Sequence, residues 1–214
     1  MRLYMTPGSC STGIHILLEE IDNPFEAAIV NLPAGDQFKP AYVAINPKST
    51  IPTLLRDDGT ALTEFQAIAY WLARTNLRAR LMPGDPNGDA LVMEVMDYVV
   101  GTIHMQGFAR IFTTSSFIPD PSAPEPSAPD PLAHDAVQAR GREIAAKGLG
   151  LMDRVLEGKD YVAGAFSIAD AALFYVEFWA DKTGIDLPPN CRAHYHRMRA
   201  RPAVHRVLRE EGYR

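Results

Sequence analysis

Hydrophobic positions along the first eighty or so residues switch between strand-like and helical spacing. Arg2 to Thr6 reads as a strand and Pro7-Gly8 breaks it. Ile14, Leu17, Leu18 and Ile21 then recur at the spacing of one helix face, which predicts a helix over Ser11 to Ile21. After Asn23-Pro24, Phe25 to Leu32 reads as a second strand, and a loop carrying Gly35 and Pro40 follows. Thr53 to Leu55 and Ala61 to Leu62 flank Asp57-Asp58-Gly59, an Asp-Gly hairpin signal. Thr63 and Gln66 have the spacing of a capping box, with Ile68, Trp71 and Leu72 continuing a helix behind it. The pattern predicts βαβ, a loop ending at Ile51-Pro52, and then ββα.

Beyond Leu81-Met82-Pro83-Gly84-Asp85-Pro86, a run of chain breakers, only helical periodicity remains. The expected division is an α/β unit over 1–78, a linker over 79–88 and an all-helical unit over 89–214. Met93, Met96, Val99, Val100, Ile103 and Met105 line one long helix, Ala133 to Leu156 a second and Ser167 to Lys182 a third. Cys191 to Glu210 splits at Pro202, because proline removes a helix donor and clashes with the preceding turn. Between the first two long helices, Pro119 to Pro131 nearly repeats Pro-Ser-Ala-Pro, which favours an extended or mobile loop.

A chain of 214 residues suits two small fused domains, and 47% hydrophobic with 22% charged residues is ordinary globular composition. The net charge of -5, with no dense basic stripe, argues against a nucleic-acid partner. The arginines from Arg192 to Arg209 alternate with acids and apolar residues and read as a solvated helix face. No apolar run approaches the ~18 residues of a membrane span, and Met1-Arg2-Leu3-Tyr4 opens into strand-like sequence instead of a signal peptide. The expectation is a cytoplasmic protein without membrane contact. Cys10 and Cys191 are far apart and imply no disulfide framework. His15, His134, His194, His196 and His205 show no ligand spacing joined to cysteines or acids, so no metal is expected.

Chemistry gathers first at Cys10. It starts the first predicted helix, where unpaired N–H groups and the helix dipole favour a thiolate over a thiol. The plain alternative is a small buried residue at a strand-to-helix turn. Cys10-Ser11-Thr12-Gly13 lacks the second cysteine of a C-x-x-C pair, so dithiol exchange within the site is not expected.

Four stretches, in order and at matching distances along the whole chain, resemble the bacterial, beta-type glutathione S-transferases. They are Tyr4-Met5-Thr6-Pro7-Gly8-Ser9-Cys10-Ser11, Ala44-Ile45-Asn46-Pro47-Lys48-Ser49-Thr50-Ile51-Pro52-Thr53-Leu54, Leu62-Thr63-Glu64-Phe65-Gln66-Ala67-Ile68 and Phe166-Ser167-Ile168-Ala169-Asp170-Ala171. The resemblance implies a thioredoxin-like domain followed by an α-helical one, glutathione as co-substrate and assembly as a homodimer. It places Cys10 beside the glutathione sulfur. It makes Thr50, Ile51 and Pro52 a cis-proline turn whose backbone pairs with the tripeptide as an added strand would. Glu64 would take the γ-glutamyl ammonium and the Phe65 N–H its carboxylate.

Phe65 stands where the family has Ser or Gly, so its ring must find room. Gln106 replaces a lysine of the family and Asp97 an asparagine, while Lys39 offers a cation for the glycyl carboxylate. The segment Ile103-His104-Met105-Gln106-Gly107-Phe108 resembles the one that brings a histidine over the thiol, so His104 would donate to the sulfur or relay its proton. A lone helical histidine is otherwise a core or interface residue. Ile103, Phe108, Ile111 and Phe112 would line an acceptor pocket with the proline-rich loop as its lid. The implied activity is conjugation of the glutathione thiolate to a small hydrophobic electrophile, a detoxification chemistry. Two alternatives remain, thiol/disulfide reduction through Cys10 and a non-catalytic binding or stress scaffold.

Overall fold

The computed structural model describes residues 1–118 and 133–213, so the proline-rich loop at 119–131 lies outside the described residues. Among the described residues, β1 (Arg2–Met5), β2 (Glu26–Ile29), β3 (Thr53–Leu55) and β4 (Ala61–Thr63) form one sheet in the order β2-β1-β3-β4. β1 runs parallel to β2, with Leu3 opposite Ala27, and antiparallel to β3, with Leu3 opposite Leu54. A parallel pair needs a crossover, and α1 (Ser11–Ile21) supplies it. Its predicted apolar stripe is real: Ile14, Leu17 and Leu18 are buried, as are Leu3, Met5 and Leu54 of the sheet. Between β2 and β3, a 3-10 turn over Asp36–Phe38 and a short helix α2 (Pro40–Val43) occupy what the pattern reads as loop. One turn of helix is too short to display a period.

α3 (Phe65–Thr75) follows β4 directly. The capping box expected of Thr63 and Gln66 does not form. Thr63 is still paired with Thr53 in the sheet, so the capping position falls to Glu64, at φ 71, and Gln66 donates instead to Asp97 Oδ1 at 3.2 Å.

The second half is helical, as expected: α4 (Pro86–Tyr98), a wider-turned π segment over Val99–Phe108, α5 (Ala109–Phe112), α6 (Ala133–Val155), α7 (Ile168–Thr183), α8 (Pro189–Arg199) and α9 (Pro202–Glu210). The break at Pro202 is where the sequence puts it. α4 starts at Pro86, ahead of Asp89, because Asp85 caps it by accepting the N–H groups of Asn87 and Gly88. α7 is the central post, with every residue from Ile168 to Ala180 buried. Its Ser167/Asp170 capping box forms, the Ser167 N–H donating to Asp170 at 2.8 Å. Full burial of side chains such as Leu173 and Phe174 stabilises by about 1.5–3 kcal/mol each.

The arginine-rich end is a solvated face only in part: Arg192, Arg206 and Arg209 are exposed, while Arg201 is largely covered. Arg201 grips both oxygens of Glu20 on α1 at 2.8 and 2.9 Å and lies over the Phe166 ring, and Arg206 pairs with Glu19 at 2.9 Å. These pairs tie the last helices to α1, a partnership between residues too far apart in the chain for a local pattern to reveal.

Candidate functional site

The turn between β1 and α1 is held from three sides. Gly8 has φ 71, and a Cβ there would collide with the Tyr213 hydroxyl, so only glycine fits. Trp179 Nε1 of α7 donates to the Gly8 carbonyl at 2.7 Å. The buried Glu211 carboxylate accepts the Gly8 N–H and the Thr12 hydroxyl, each at 2.7 Å. This frame presents Cys10 as the N-cap of α1, half-buried, with its thiol donating to the Ile51 carbonyl at 3.7 Å. Burial pushes the Cys10 thiol up to about 12, outweighing the backbone N–H groups of Cys10 and Ser11 that favour the thiolate, while Glu64 adds to the rise. Burial at this position therefore works against the expected thiolate. The helix terminus acts in the predicted direction and loses to desolvation, which the sequence does not display.

Ile51-Pro52 is a cis peptide bond. The preceding carbonyl, of Thr50, accepts from the Tyr42 hydroxyl at 2.6 Å and from Asn46 Nδ2 at 2.8 Å. Asn46, fully buried, also donates to Thr53 Oγ1 at 2.9 Å and accepts the Lys48 N–H at 3.0 Å. One amide side chain thus fixes the loop that sets Ile51 beside Cys10. Lys48 Nζ reaches Glu64 Oε1 at 2.6 Å and Thr63 Oγ1 at 2.9 Å, joining the loop to the start of α3. The pair is exposed, so it orients Glu64 more than it stabilises the fold, by about 0–1 kcal/mol. Lys39, the cation expected here, is instead paired with Asp36 at 2.6 Å on the 3-10 turn.

The Phe65 ring turns into the core. It packs edge-on against Tyr175, with centroids 5.3 Å apart, and fills the space left by Gly13, where a Cβ would lie 2.8 Å from Phe65 Cε2. Bulk at this position is accommodated by a missing side chain on α1. Asp97 stays exposed, holding Gln66.

His104 sits in the π segment, half-buried, with Nδ1 at 3.3 Å from the Tyr175 hydroxyl and its ring edge-on to Trp179 at 4.8 Å. Burial among these rings pushes it down to about 4, so it is a neutral imidazole at pH 7. Tyr175 lies near enough to Cys10 for a thiolate there to raise its own pKa, itself driven well up mainly by burial. Cys10, Tyr175 and His104 therefore follow one another across the domain junction.

Of the four expected acceptor residues, two are interior. Ile103 is fully buried against the Gly148 position of α6, and Phe108, also fully buried, stacks on Phe112 and meets Trp179 at 5.3 Å. Ile111 leans on α6 at Gly141, and Phe112 alone of the four is a largely exposed ring. A helical period reports which residues are apolar, not which side of the helix faces a cleft.

Sequence reasoning missed Asn46, Lys48, Tyr175, Trp179 and Glu211. Tyr175 and Trp179 did leave a signal, two aromatics four residues apart on a predicted helix. Glu211 left none.

Residues 8–75 match the family model described as glutathione S-transferase, N-terminal domain, and residues 135–197 the one described as glutathione S-transferase, C-terminal domain. Glutathione S-transferase GstA of Escherichia coli O157:H7 is 33% identical over 221 residues, covering 99% of each chain. Among solved structures, a glutathione transferase homologue from Sulfitobacter with bound glutathione is 31% identical, with a TM-score of 0.87 over 98% of this chain and 97% of that one. The bacterial beta class glutathione S-transferase of Sphingomonas chungbukensis is 29% identical, with a TM-score of 0.81 over 99% of each chain.

Proposed function

This chain belongs to the glutathione S-transferase family, and we propose that it binds glutathione across Cys10, the Ile51-Pro52 turn and the start of α3, and joins its thiolate to a small hydrophobic electrophile. The observation that carries the reading is the convergence of three chain segments on Cys10: its thiol against the Ile51 carbonyl, Glu64 close enough to raise its pKa, and Tyr175 near enough to feel a charge there.

In this reading the Ile51 N–H and C=O pair with the tripeptide backbone, as an added strand. Glu64 exchanges Lys48 for the γ-glutamyl ammonium, and Lys48 turns to a ligand carboxylate, the part first given to Lys39. The Phe65 N–H at the α3 terminus takes the γ-glutamyl carboxylate. Cys10, protonated, gives a weak hydrogen bond to the ligand sulfur, with the first N–H groups of α1 behind it. Glutathione's thiol loses its proton to solvent, with neutral His104 and the Tyr175 hydroxyl as the available relay. The sulfur then bonds to the electrophilic carbon as the leaving group departs with the other bond's electrons. Phe112, beside Trp179 at 5.2 Å, offers the apolar face for the acceptor.

Two features weigh against the alternatives. A reductase acting through Cys10 needs a thiolate that burial here opposes, and the Phe65 ring that suggests a drifted scaffold packs in the core. A two-chain assembly in the cytoplasm completes the proposal. Exposed Phe38, Tyr70 and Met105 offer apolar surface for a second copy, and no helix among the described residues is long and apolar enough to cross a membrane.

The test is retention on immobilised glutathione followed by turnover of an aryl halide with glutathione. Both are expected, and Cys10→Ala should keep turnover within about tenfold, since a weak S–H donor contributes on the order of 1 kcal/mol. Absence of both binding and turnover in the wild type would leave only the scaffold. Loss of disulfide reduction together with unchanged conjugation in Cys10→Ala would add a separate reductase activity.

A further inference from the structure

His15 is one of the histidines for which the sequence shows no ligand spacing; the fold supplies the carboxylates. Glu19 lies four residues along α1 and so on the same face, and α9 packs against α1 with Glu210 at its end. A ring nitrogen of His15 and one carboxylate oxygen each from Glu19 and Glu210 lie within 4.8 Å of one another, with His15 Nε2 at 3.5 Å from Glu210 Oε2. These three side chains line a surface cleft of about 440 Å³, with Asp22 also on its wall.

What lifts this group above a chance cluster of acids is the way the histidine is held. Its side chain is only 4% exposed, and Phe25 holds the ring edge-on at 5.5 Å. Nδ1 lies 2.9 Å from Glu211 Oε1, and the other oxygen of Glu211 is already taken by Gly8 and Thr12. A carboxylate only accepts, so Nδ1 donates to it. Nε2, on the other side of the ring, faces the cleft and the Glu210 carboxylate at 3.5 Å. A divalent ion in that gap would take the Nε2 lone pair in place of a proton and draw the carboxylates in. A carboxylate fixing one imidazole nitrogen while the other binds metal is a common arrangement, and Arg206, at 2.9 Å from Glu19 Oε2, orients a second ligand in the same way.

We infer that His15 Nε2, Glu19 and Glu210 form a binding site for a divalent transition ion of the zinc type. One imidazole and two carboxylates suit Zn²⁺ over Mg²⁺ or Ca²⁺, which prefer oxygen alone. Ligand atoms around a tetrahedral zinc stand about 3.3 Å apart, given bonds of ~2.0–2.1 Å, so exposed Glu210 needs only a small swing to close the set. The site lies apart from Cys10 and is independent of the glutathione reading.

The test is calorimetric titration of the chelator-treated full chain with ZnCl₂ and, separately, MgCl₂. One Zn²⁺ per chain and no Mg²⁺ heat are expected. Glu19→Gln and Glu210→Gln should each weaken Zn²⁺ at least tenfold; exposed Glu210→Gln should leave the melting temperature of the metal-free protein little changed, and Glu19→Gln should lower it by no more than loss of the Arg206 pair explains. Unaltered Zn²⁺ affinity in both variants, or no Zn²⁺ heat in the wild type, overturns the inference.

Discussion

His104 and His194 both meet α7, and their surroundings drive them in opposite directions. His104 meets the rings of Tyr175 and Trp179, and burial alone pushes it down to about 4. At His194 burial also opposes the charge, but Glu177 at 2.8 Å from Nδ1 and Asp170 at 3.2 Å from Nε2 outweigh it and hold the ring up at about 10. At roughly 100° per residue, Asp170 and Glu177 project from one side of α7, and Tyr175 and Trp179 from nearly the opposite one. One helix thus presents a carboxylate face toward α8 and an aromatic face toward Cys10. The first is a buried ionic network that holds the fold, and the second an uncharged aromatic wall at the candidate site.

The contrast predicts where substitutions are costly. The sharpest way to break the carboxylate face is Asp170→Ala, which strips the α7 cap, the Val162 N–H and His194 of one acceptor together. About 3–5 kcal/mol of stability should be lost, as when one partner of a buried ion pair is removed. Urea unfolding would measure it, and a loss below about 1 kcal/mol would mean the network is not structural.

Next in size is the pH dependence of that face. Burial pushes Glu177 up to about 7, partly offset by His194, and one Glu177 oxygen has no hydrogen-bond partner among the described residues. The folded chain therefore keeps protons that the unfolded chain releases, near pH 4.5 for the glutamate and near 6.5 for the histidine. Stability from the charged His194 is complete below its unfolded value and is lost as pH climbs toward 10. Between pH 7 and 9 the loss should reach about 2 kcal/mol. His194→Gln should flatten the profile in that window; an equally steep profile in the variant would assign the slope to other groups. His104, uncharged throughout, contributes nothing there.

The smallest expected effect falls on the Cys10 side, where the groups are exposed or are backbone. Glu64→Gln should raise the KM for glutathione about tenfold, a change of roughly 1.4 kcal/mol, while melting within about 2 °C of the wild type. A large drop in melting temperature would erase the distinction between a face that folds the chain and a face that binds.

Much of the framework was legible because it is written in local patterns. The apolar stripe of Ser11–Ile21, the Asp-Gly hairpin and the break at Pro202 each depend on residues within a turn or two of one another. α2 escaped because it is too short to show a period, and the Thr63/Gln66 box failed because sheet pairing reached Thr63 first. At the site, the sequence pointed to Cys10, Ile51-Pro52 and Glu64, residues placed by turns and helix ends, and to His104 inside a helical segment through the family resemblance alone.

Charge state and company were decided only when the halves packed. Whether Cys10 is thiol or thiolate depends on the desolvation that surrounds a helix terminus, not on the terminus itself. Lys48 against Glu64, the burial of Ile103 and Phe108, and Glu211 beneath Gly8 and His15 all depend on which distant segments share a surface. Periodicity is set within a few residues of the chain, so the sequence alone determines it, and a cap follows the sequence where no distant strand claims its residue. Solvent exclusion and charge pairing depend on distance in space, and those distances did not exist until α7 and α9 closed against α1.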